Sequence, residues 1–170
     1  MTGASSDHYS DDRPVVLAVD DAPDMLSMLT DVIENAGITA LIASSGQGAL
    51  ALVERVRPDV ILMDISMPRL SGIDATRQIA RGGRSKVLAL SMHDGQSYVE
   101  EALRAGAAGY VHKNASAEDL CSAIDAVRES RADRRRRSNR PGNLSGTRTA
   151  RTRHIWKAGL RALTEGESRS

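Results

Sequence analysis

The chain is predicted to form one α/β domain around a parallel, doubly wound sheet. Five short apolar runs alternate with five segments whose apolar residues recur at helical spacing. Strict alternation of this kind requires parallel strands, right-handed crossovers and helices on both faces of the sheet. The predicted strands are 15–19, 38–43, 59–64, 86–91 and 108–112, and the predicted helices are 23–36, 46–56, 72–81, 95–105 and 116–129.

The first strand and helix carry the clearest local signals. The strand reads Val15-Val16-Leu17-Ala18-Val19, an unbroken apolar run typical of a strand that is buried on both faces. Pro23 is suited to the first helical position, and Gly37 is suited to the position just past the end. One helical face carries the apolar residues Met25, Met28, Leu29, Val32, Ile33 and Ala36.

The later elements repeat this pattern. The third strand contains Val60-Ile61-Leu62-Met63, and the fifth helix begins with Ser116 and Asp119 in the spacing of a capping box. The second helix has an apolar face of Ala49, Leu52, Val53 and Val56, and the fifth has one of Leu120, Ala123, Ile124 and Val127.

Composition and charge divide the chain into three parts. Residues 1–130 contain 11 basic and 19 acidic side chains, a net of −8, whereas residues 131–170 contain 12 and 3, a net of +9. We expect a disordered segment at 1–13, the α/β domain at 14–130 and a basic, mostly disordered tail at 131–170. One cysteine and the absence of a long apolar run favour a cytoplasmic protein without a membrane span.

Three carboxylates follow two of the predicted strands. Asp20 and Asp21 come after the first strand and Asp64 ends the third, and parallel sheets bind ligands at these carboxyl ends. If the two strands are neighbours, the acids repel one another, which implies a cation or a raised pKa. Hard oxygen ligands suit Mg²⁺. Taken singly, Asp20-Asp21 could instead cap a helix and Asp64 could be a turn residue.

The strand ends also carry a set of motifs in a fixed order. They are Asp20-Asp21, Asp64, Met67-Pro68 with Gly72, Ser91, and Tyr110 with Lys113. With these motifs in place, residues 14–129 resemble the receiver domain of two-component response regulators. The stretches around Leu90–Asp94 and Ala105–Tyr110 look most like the LuxR/NarL-type branch of that family.

The resemblance implies a flavodoxin-like sheet with strand order 2-1-3-4-5 and a phosphorelay function. Asp64 would take a phosphoryl group from a sensor histidine kinase. Mg²⁺ would be held by Asp21, Asp64 and the Ser66 backbone carbonyl, with Asp20 supporting through water. Lys113 would place a cation at the phosphoryl oxygens.

The resemblance also implies a switch. The Ser91 hydroxyl would bind the phosphoryl group, and Tyr110 would follow into the vacated space. Ser66 and His93 would tune the loss of the phosphoryl group to water. Such a protein is a signalling module rather than a turnover enzyme, and it contacts partners, including a possible second copy of itself on phosphorylation, through a face that bears Tyr98.

The sequence departs from the family at three places. Ser91 replaces the commoner threonine, a change that keeps the hydroxyl. Asn114 stands where the family usually has proline, which disfavours a cis peptide at 113–114. LuxR/NarL-type regulators continue into a helix-turn-helix domain of roughly 60 residues. The Arg-rich tail at 131–170 does not have that pattern, so we expect the DNA-binding domain to be lost. The alternative is a transcription regulator that binds nucleic acid through this tail or through a partner subunit.

Other functions of doubly wound folds fit the sequence less well. An FMN carrier needs a phosphate loop after the first strand, where Asp20-Asp21 would repel phosphate. A dinucleotide site needs Gly-x-Gly-x-x-Gly after that strand, whereas Gly46-Gln47-Gly48 follows the second. A phosphatase of the haloacid dehalogenase type has its Asp-x-Asp at the first strand, whereas Asp64-Ile65-Ser66 ends the third.

Overall fold

A computed structural model of the chain describes residues 13–93 and 95–138, with side chains described as far as Ser130. Within these residues, five strands alternate with five helices. The strands are β1 (Val15–Val19), β2 (Thr39–Ala43), β3 (Val60–Asp64), β4 (Lys86–Ser91) and β5 (Gly109–His112). The helices are α1 (Pro23–Asn35), α2 (Gly46–Val56), α3 (Gly72–Gly82), α4 (Gln96–Arg104) and α5 (Ala117–Ser138).

The strands form one parallel sheet in the order β2-β1-β3-β4-β5, which confirms the predicted topology. In β1 and β3, Val19 lies opposite Met63, so the residues that follow these strands emerge side by side. Asp64 in turn lies opposite Leu90 of β4, and Ser91 lies opposite His112 of β5. The carboxyl ends of four strands therefore meet at one edge of the sheet.

Helices cover both faces of the sheet, because successive residues of each buried strand point to opposite sides. On one face, Val16 and Ala18 pack with residues of α1 and α5, among them Leu29 and Ile124. On the other face, Leu17 and its neighbours pack with apolar residues of α2 and α3. This double coverage is why the strands read as continuous apolar runs.

Side-chain caps fix where three of the helices begin. The hydroxyls of Ser45 and Ser71 accept hydrogen bonds from Gly48 N–H and Asp74 N–H at the starts of α2 and α3. At the start of α5, Ser116 accepts from Asp119 N–H at 3.1 Å and donates to the Asp119 carboxylate at 2.9 Å. The capping box predicted there is confirmed.

The fifth helix is longer than predicted. Its predicted end was 129, but α5 continues to Ser138 and takes in Arg134–Arg137. The prediction stopped at 129 because the apolar face of the helix ends there. Arginine and alanine have high helix propensity, so the helix can continue without an apolar face. Eight residues of the predicted tail are thus helical, and 139–170, like 1–12, lie outside the described residues.

None of the helices in the described part of the chain is long and apolar enough to cross a membrane.

Candidate functional site

The carboxyl edge of the sheet brings together one lysine and two buried carboxylates. Asp20 follows β1, Asp64 ends β3, and Lys113 follows β5. Backbone hydrogen bonds continue past the strand ends, from Ile65 N–H to Leu90 O at 3.1 Å and from Lys113 N–H to Ser91 O at 2.8 Å. The sheet itself therefore sets the positions of the backbone that carries these side chains.

The ammonium group of Lys113 lies between the two buried carboxylates. Its Nζ is 2.6 Å from Asp20 Oδ2 and 3.2 Å from Asp64 Oδ2. The second oxygen of each carboxylate accepts a backbone hydrogen bond, Asp20 Oδ1 from Ala22 N–H at 2.9 Å and Asp64 Oδ1 from Ser66 N–H at 3.0 Å. Each carboxylate is thus held at both oxygens, so its orientation is set before any ligand arrives.

A third carboxylate makes this edge of the sheet a candidate metal site. Oxygen atoms of Asp20, Asp21 and Asp64 all lie within 4.8 Å of one another. Asp20 and Asp64 are buried and Asp21 is exposed to solvent. Three carboxylates and one lysine leave an excess of two negative charges, and a donor set made only of carboxylate oxygens suits a hard divalent cation such as Mg²⁺. The residues present fit the predicted ion.

The structure does not support the reading of Asp20-Asp21 as helix caps. Ala22 is the residue that caps α1, and it makes no side-chain capping bond. Asp20 accepts a hydrogen bond from Ala22 N–H, which closes the turn after β1 rather than the first turn of the helix. Asp21 is left free to face the carboxylate cluster.

Burial and ion pairing shift two pKa values at the site. The pKa of Asp64 is raised above the usual carboxyl value. Burial, together with the charge of Asp20, disfavours the Asp64 charge more than the Ser66 N–H bond and Lys113 favour it. Burial also works against the charge of Lys113, but its contacts with Asp20 and Asp64 outweigh this effect and raise its pKa. Lys113 therefore stays positively charged beside the carboxylates.

The residues predicted to form a switch lie beside this cluster, and the Ser91 carbonyl accepts the hydrogen bond from Lys113 N–H. Ser91 is fully buried, and its hydroxyl accepts a hydrogen bond from His93 N–H at 3.0 Å. The hydroxyl of Tyr110 donates to the backbone carbonyl of His93. Both side chains thus bind residues that directly follow β4, and we call Met92 and His93 the β4–α4 loop.

This loop also carries exposed apolar surface. Met92 is 53 % exposed and Tyr98, in the first turn of α4, is 40 % exposed. The imidazole of His93 stacks on Tyr98, with ring centroids 4.7 Å apart and planes inclined by 14°. Met92 and Tyr98 therefore leave apolar surface exposed near the carboxyl edge of the sheet.

Two residues at the site have roles that sequence reasoning did not assign. A Cβ atom on Gly72 would lie 1.8 Å from the Asp64 carbonyl oxygen, so only glycine lets α3 begin against the end of β3. The imidazole of His112 contacts the Met92 carbonyl at 3.0 Å. The place of Gly72 in the motif and the place of His112 at the end of a predicted strand were the signals available in the sequence. The 113–114 peptide is trans.

Comparison with known proteins gives consistent matches. A family model described as the response regulator receiver domain matches residues 16–125. The transcriptional regulatory protein DegU of Brevibacillus brevis is 49 % identical over 83 residues, which are 48 % of this chain and 35 % of that protein. The chemotaxis protein CheY of Thermotoga maritima is 36 % identical over 114 residues, which are 66 % of this chain and 95 % of that protein.

Solved structures give the same result. The crystal structure of a two-component response regulator of the LuxR family from Aurantimonas sp. SI85-9A1 has 31 % identity and a TM-score of 0.66, and the match covers 69 % of this chain and 86 % of that chain. Matches to the transcriptional regulators are partial. The match spans 35 % of DegU and 54 % of MctR of Rhizobium johnstonii, so this chain covers only about a third to a half of their length.

Proposed function

Because the chain belongs to the response regulator receiver domain family, we propose that it accepts a phosphoryl group on Asp64 from a sensor histidine kinase, with Mg²⁺ bound, and then changes a protein-binding surface. The observation that carries this proposal is the arrangement of Lys113 between the Asp20 and Asp64 carboxylates, with Asp21 beside them. A nucleophile, a fixed cation and a set of hard oxygen ligands are the parts that phosphoryl transfer to a carboxylate needs.

In the proposed reaction, an Asp64 carboxylate oxygen bonds to phosphorus while the bond from phosphorus to the kinase imidazole breaks. The electron pair of that bond leaves with the imidazole nitrogen. Lys113 provides a fixed positive charge for the phosphoryl oxygens. Asp21, Asp64 and the Ser66 carbonyl would hold Mg²⁺, with Asp20 acting through water, and the ion supplies positive charge that offsets the repulsion between the two anions.

The signal would then pass to the β4–α4 loop. The hydroxyl of Ser91 uses a lone pair to accept from His93 N–H, and this leaves its own proton to donate to a phosphoryl oxygen. Movement of Ser91 toward Asp64 would carry His93 with it and remove the carbonyl that Tyr110 binds. The phosphoryl group thereby favours one of two loop positions, as a ligand-biased switch requires.

Phosphorylation by a small donor tests the proposal directly. The protein is incubated with Mg²⁺ and acetyl phosphate, and the products are separated on a phosphate-affinity gel. We expect a shifted band for the wild type and for the control Asp74→Ala, whose carboxylate is exposed on α3, and none for Asp64→Ala. Equal labelling of the wild type and Asp64→Ala would overturn the assignment.

The proposed metal site has its own test. Because Asp21 is exposed and caps no helix, Asp21→Asn is expected to fold normally. Mg²⁺ should raise the melting temperature of the wild type, since an ion at ten times its Kd stabilises the folded state by about 1.4 kcal/mol. Asp21→Asn should need at least about tenfold more Mg²⁺ for the same shift, the loss of one charged ligand being at least about 1.4 kcal/mol. An identical Mg²⁺ response would exclude Asp21 as a ligand.

A second candidate function is binding to a polyanion such as DNA through the basic tail. It is favoured by the continuation of α5 into Arg134–Arg137 and by the net charge of +9 over 131–170. Binding through backbone phosphates would weaken steeply with salt. A gel shift with duplex DNA that disappears both at high salt and on deletion of 131–170 would support it, and no shift at low salt would contradict it.

A further inference from the structure

The β4–α4 loop is held by a side chain that has no place in the proposed phosphoryl chemistry. His112 ends β5, opposite Ser91 in the sheet. Its Nε2 lies 3.0 Å from the Met92 carbonyl oxygen, and its Nδ1 lies 3.1 Å from the backbone nitrogen of Asn114. The imidazole therefore connects the loop that follows Ser91 with the loop that carries Lys113.

The partners of the ring determine where its proton is. The backbone N–H of Asn114 can only donate, so Nδ1 of His112 must be the acceptor of that bond. The proton of the neutral ring is then on Nε2, which donates to the Met92 carbonyl. Both nitrogen atoms are thus used in one tautomer, and the ring cannot turn over without losing both contacts.

From this geometry we propose that His112 is a positioning residue that holds the β4–α4 loop in its unphosphorylated position. This inference rests on the proposed function, because it concerns how the loop responds to a phosphoryl group on Asp64. Met92 directly follows Ser91, so movement of Ser91 toward Asp64 draws the Met92 carbonyl away from His112. The side chain of Met92 is largely exposed and does not anchor the loop by burial.

If a hydrogen bond exists in only one of two loop positions, it shifts the equilibrium toward that position. The His112–Met92 bond stabilises the unphosphorylated position, and so it opposes the binding of anything that requires the other. By thermodynamic linkage, its removal must strengthen the binding of a phosphoryl analogue by the same factor by which it shifts the loop. A residue that only supported the fold would change stability without changing that affinity.

Three substitutions separate the two contacts of the ring. His112→Leu removes both. His112→Asn keeps an acceptor for Asn114 N–H but lacks a donor long enough for Met92, and it replaces the leucine variant if that protein does not fold. His112→Gln places an amide N–H close to the position of Nε2 and should restore the bond to Met92. Lys113, Asp64 and Ser91 are unchanged in all three.

The test measures the affinity of the full chain for beryllofluoride, an analogue of the phosphoryl group, in the presence of Mg²⁺. The amide resonance of His93 reports loop position, because this amide donates to Ser91. We expect the Kd of His112→Leu and His112→Asn to be about fivefold lower than that of the wild type, the effect of one ordinary hydrogen bond. In both variants without beryllofluoride, the His93 resonance should lie closer to its bound position.

The outcomes separate the inference from the proposed function. A positioning role through Met92 is supported if His112→Gln binds beryllofluoride with the same Kd as the wild type and the other two variants bind it more tightly. The same Kd in all four proteins would overturn the inference and leave the proposed function standing. No binding by any of the four proteins would overturn the proposed function and the inference with it.

Discussion

Two regions at the same edge of the sheet are built in different ways. In the first, which we call the acidic cluster (Asp20, Asp21, Asp64 with Lys113), the two buried carboxylates are fixed by backbone N–H groups and by ion pairs of 2.6 and 3.2 Å. In the second, the β4–α4 loop, backbone groups of Met92 and His93 are bound by the side chains of Ser91, Tyr110 and His112.

The difference matches the tasks proposed for the two regions. A reacting group must be held in place before the reaction, because positioning lowers the barrier only if it is already present. A switch must instead have two positions that differ little in free energy, so that one ligand can decide between them. Neutral hydrogen bonds of modest strength give such a balance, whereas buried ion pairs do not.

The largest expected effect comes from moving the backbone of the acidic cluster. Gly72→Ala places a Cβ atom 1.8 Å from the Asp64 carbonyl oxygen, so α3 and β3 must separate. We expect a loss of about 4 kcal/mol in the free energy of unfolding and a loss of Asp64 phosphorylation. Urea denaturation measures the first effect, and a phosphate-affinity gel measures the second.

Gly82→Ala is the matched control for this prediction. Gly82 also lies in α3, but a Cβ atom there would meet no atom within 4 Å. Alanine should be neutral or should stabilise the helix by up to about 1 kcal/mol. Similar losses in both variants would show that α3 as a whole, rather than its contact with Asp64, limits stability.

Removing the cation of the acidic cluster should have the next largest effect. Lys113→Met leaves the Asp20 and Asp64 carboxylates without their counter-charge, and we expect a loss of about 3 kcal/mol at pH 7. The pKa of Lys113 is raised in the folded state, so its stabilising contribution is complete below its unfolded value of 10.5 and is lost as the pH rises through the folded value. The stabilities of wild type and variant should therefore converge at high pH.

The exposed ion pair of Arg77 with Asp74, at 2.6 Å, provides a control for this loss. Arg77→Met should change the free energy of unfolding by no more than about 0.5 kcal/mol, because solvent screens the pair. Equal effects of the two substitutions in urea denaturation would contradict the view that Lys113 is set apart by its buried partners.

Neutralising the proposed phosphoacceptor should stabilise the protein. Burial raises the pKa of Asp64 in the folded state. At pH values above its unfolded pKa of 3.8, the charge of Asp64 therefore disfavours the folded state. We expect Asp64→Asn to gain about 1 kcal/mol at pH 7, with Lys113 still paired to Asp20. The gain should vanish below about pH 3.8, where the carboxyl is protonated in both states. Thermal unfolding at the two pH values measures this, and a loss of stability at pH 7 would refute it.

The smallest effect is expected at the β4–α4 loop. Tyr110→Phe removes only the hydroxyl that donates to the His93 carbonyl. It should lower the free energy of unfolding by no more than about 1 kcal/mol and leave Asp64 phosphorylation by acetyl phosphate unchanged. A loss as large as that of Lys113→Met would remove the distinction between a fixed acidic cluster and a lightly held loop.

Most of the fold was predictable because the signals were local. Apolar runs located all five strands to within one residue, and Pro23, Gly37 and the Ser116–Asp119 capping box marked helix ends that the structure confirms. The order of the strands, the receiver family and its LuxR/NarL-type branch were also confirmed. The end of α5 was wrong, because an apolar face does not show how far an Arg-rich helix continues.

The candidate site was less fully predictable. Motif order was enough to select Asp20, Asp21, Asp64 and Lys113, and the structure brings these four residues together. Their roles in phosphoryl transfer stay predictions, as do those of Ser66, Ser91 and Tyr110. Sequence reasoning did not assign the contacts of His112, because they join backbone groups of two different loops.

The sequence by itself determined where the five strands and the first four helices lie, and which reactive groups follow each strand. The reason is that burial periodicity, helix capping and the position of a residue after a strand are properties of short stretches of chain. Only the tertiary structure decided how Lys113 divides its charge between Asp20 and Asp64, why Gly72 must lack a side chain, and which carbonyl His112 holds. These depend on contacts between groups on different strands, helices and loops, which only the packing of the fold brings together.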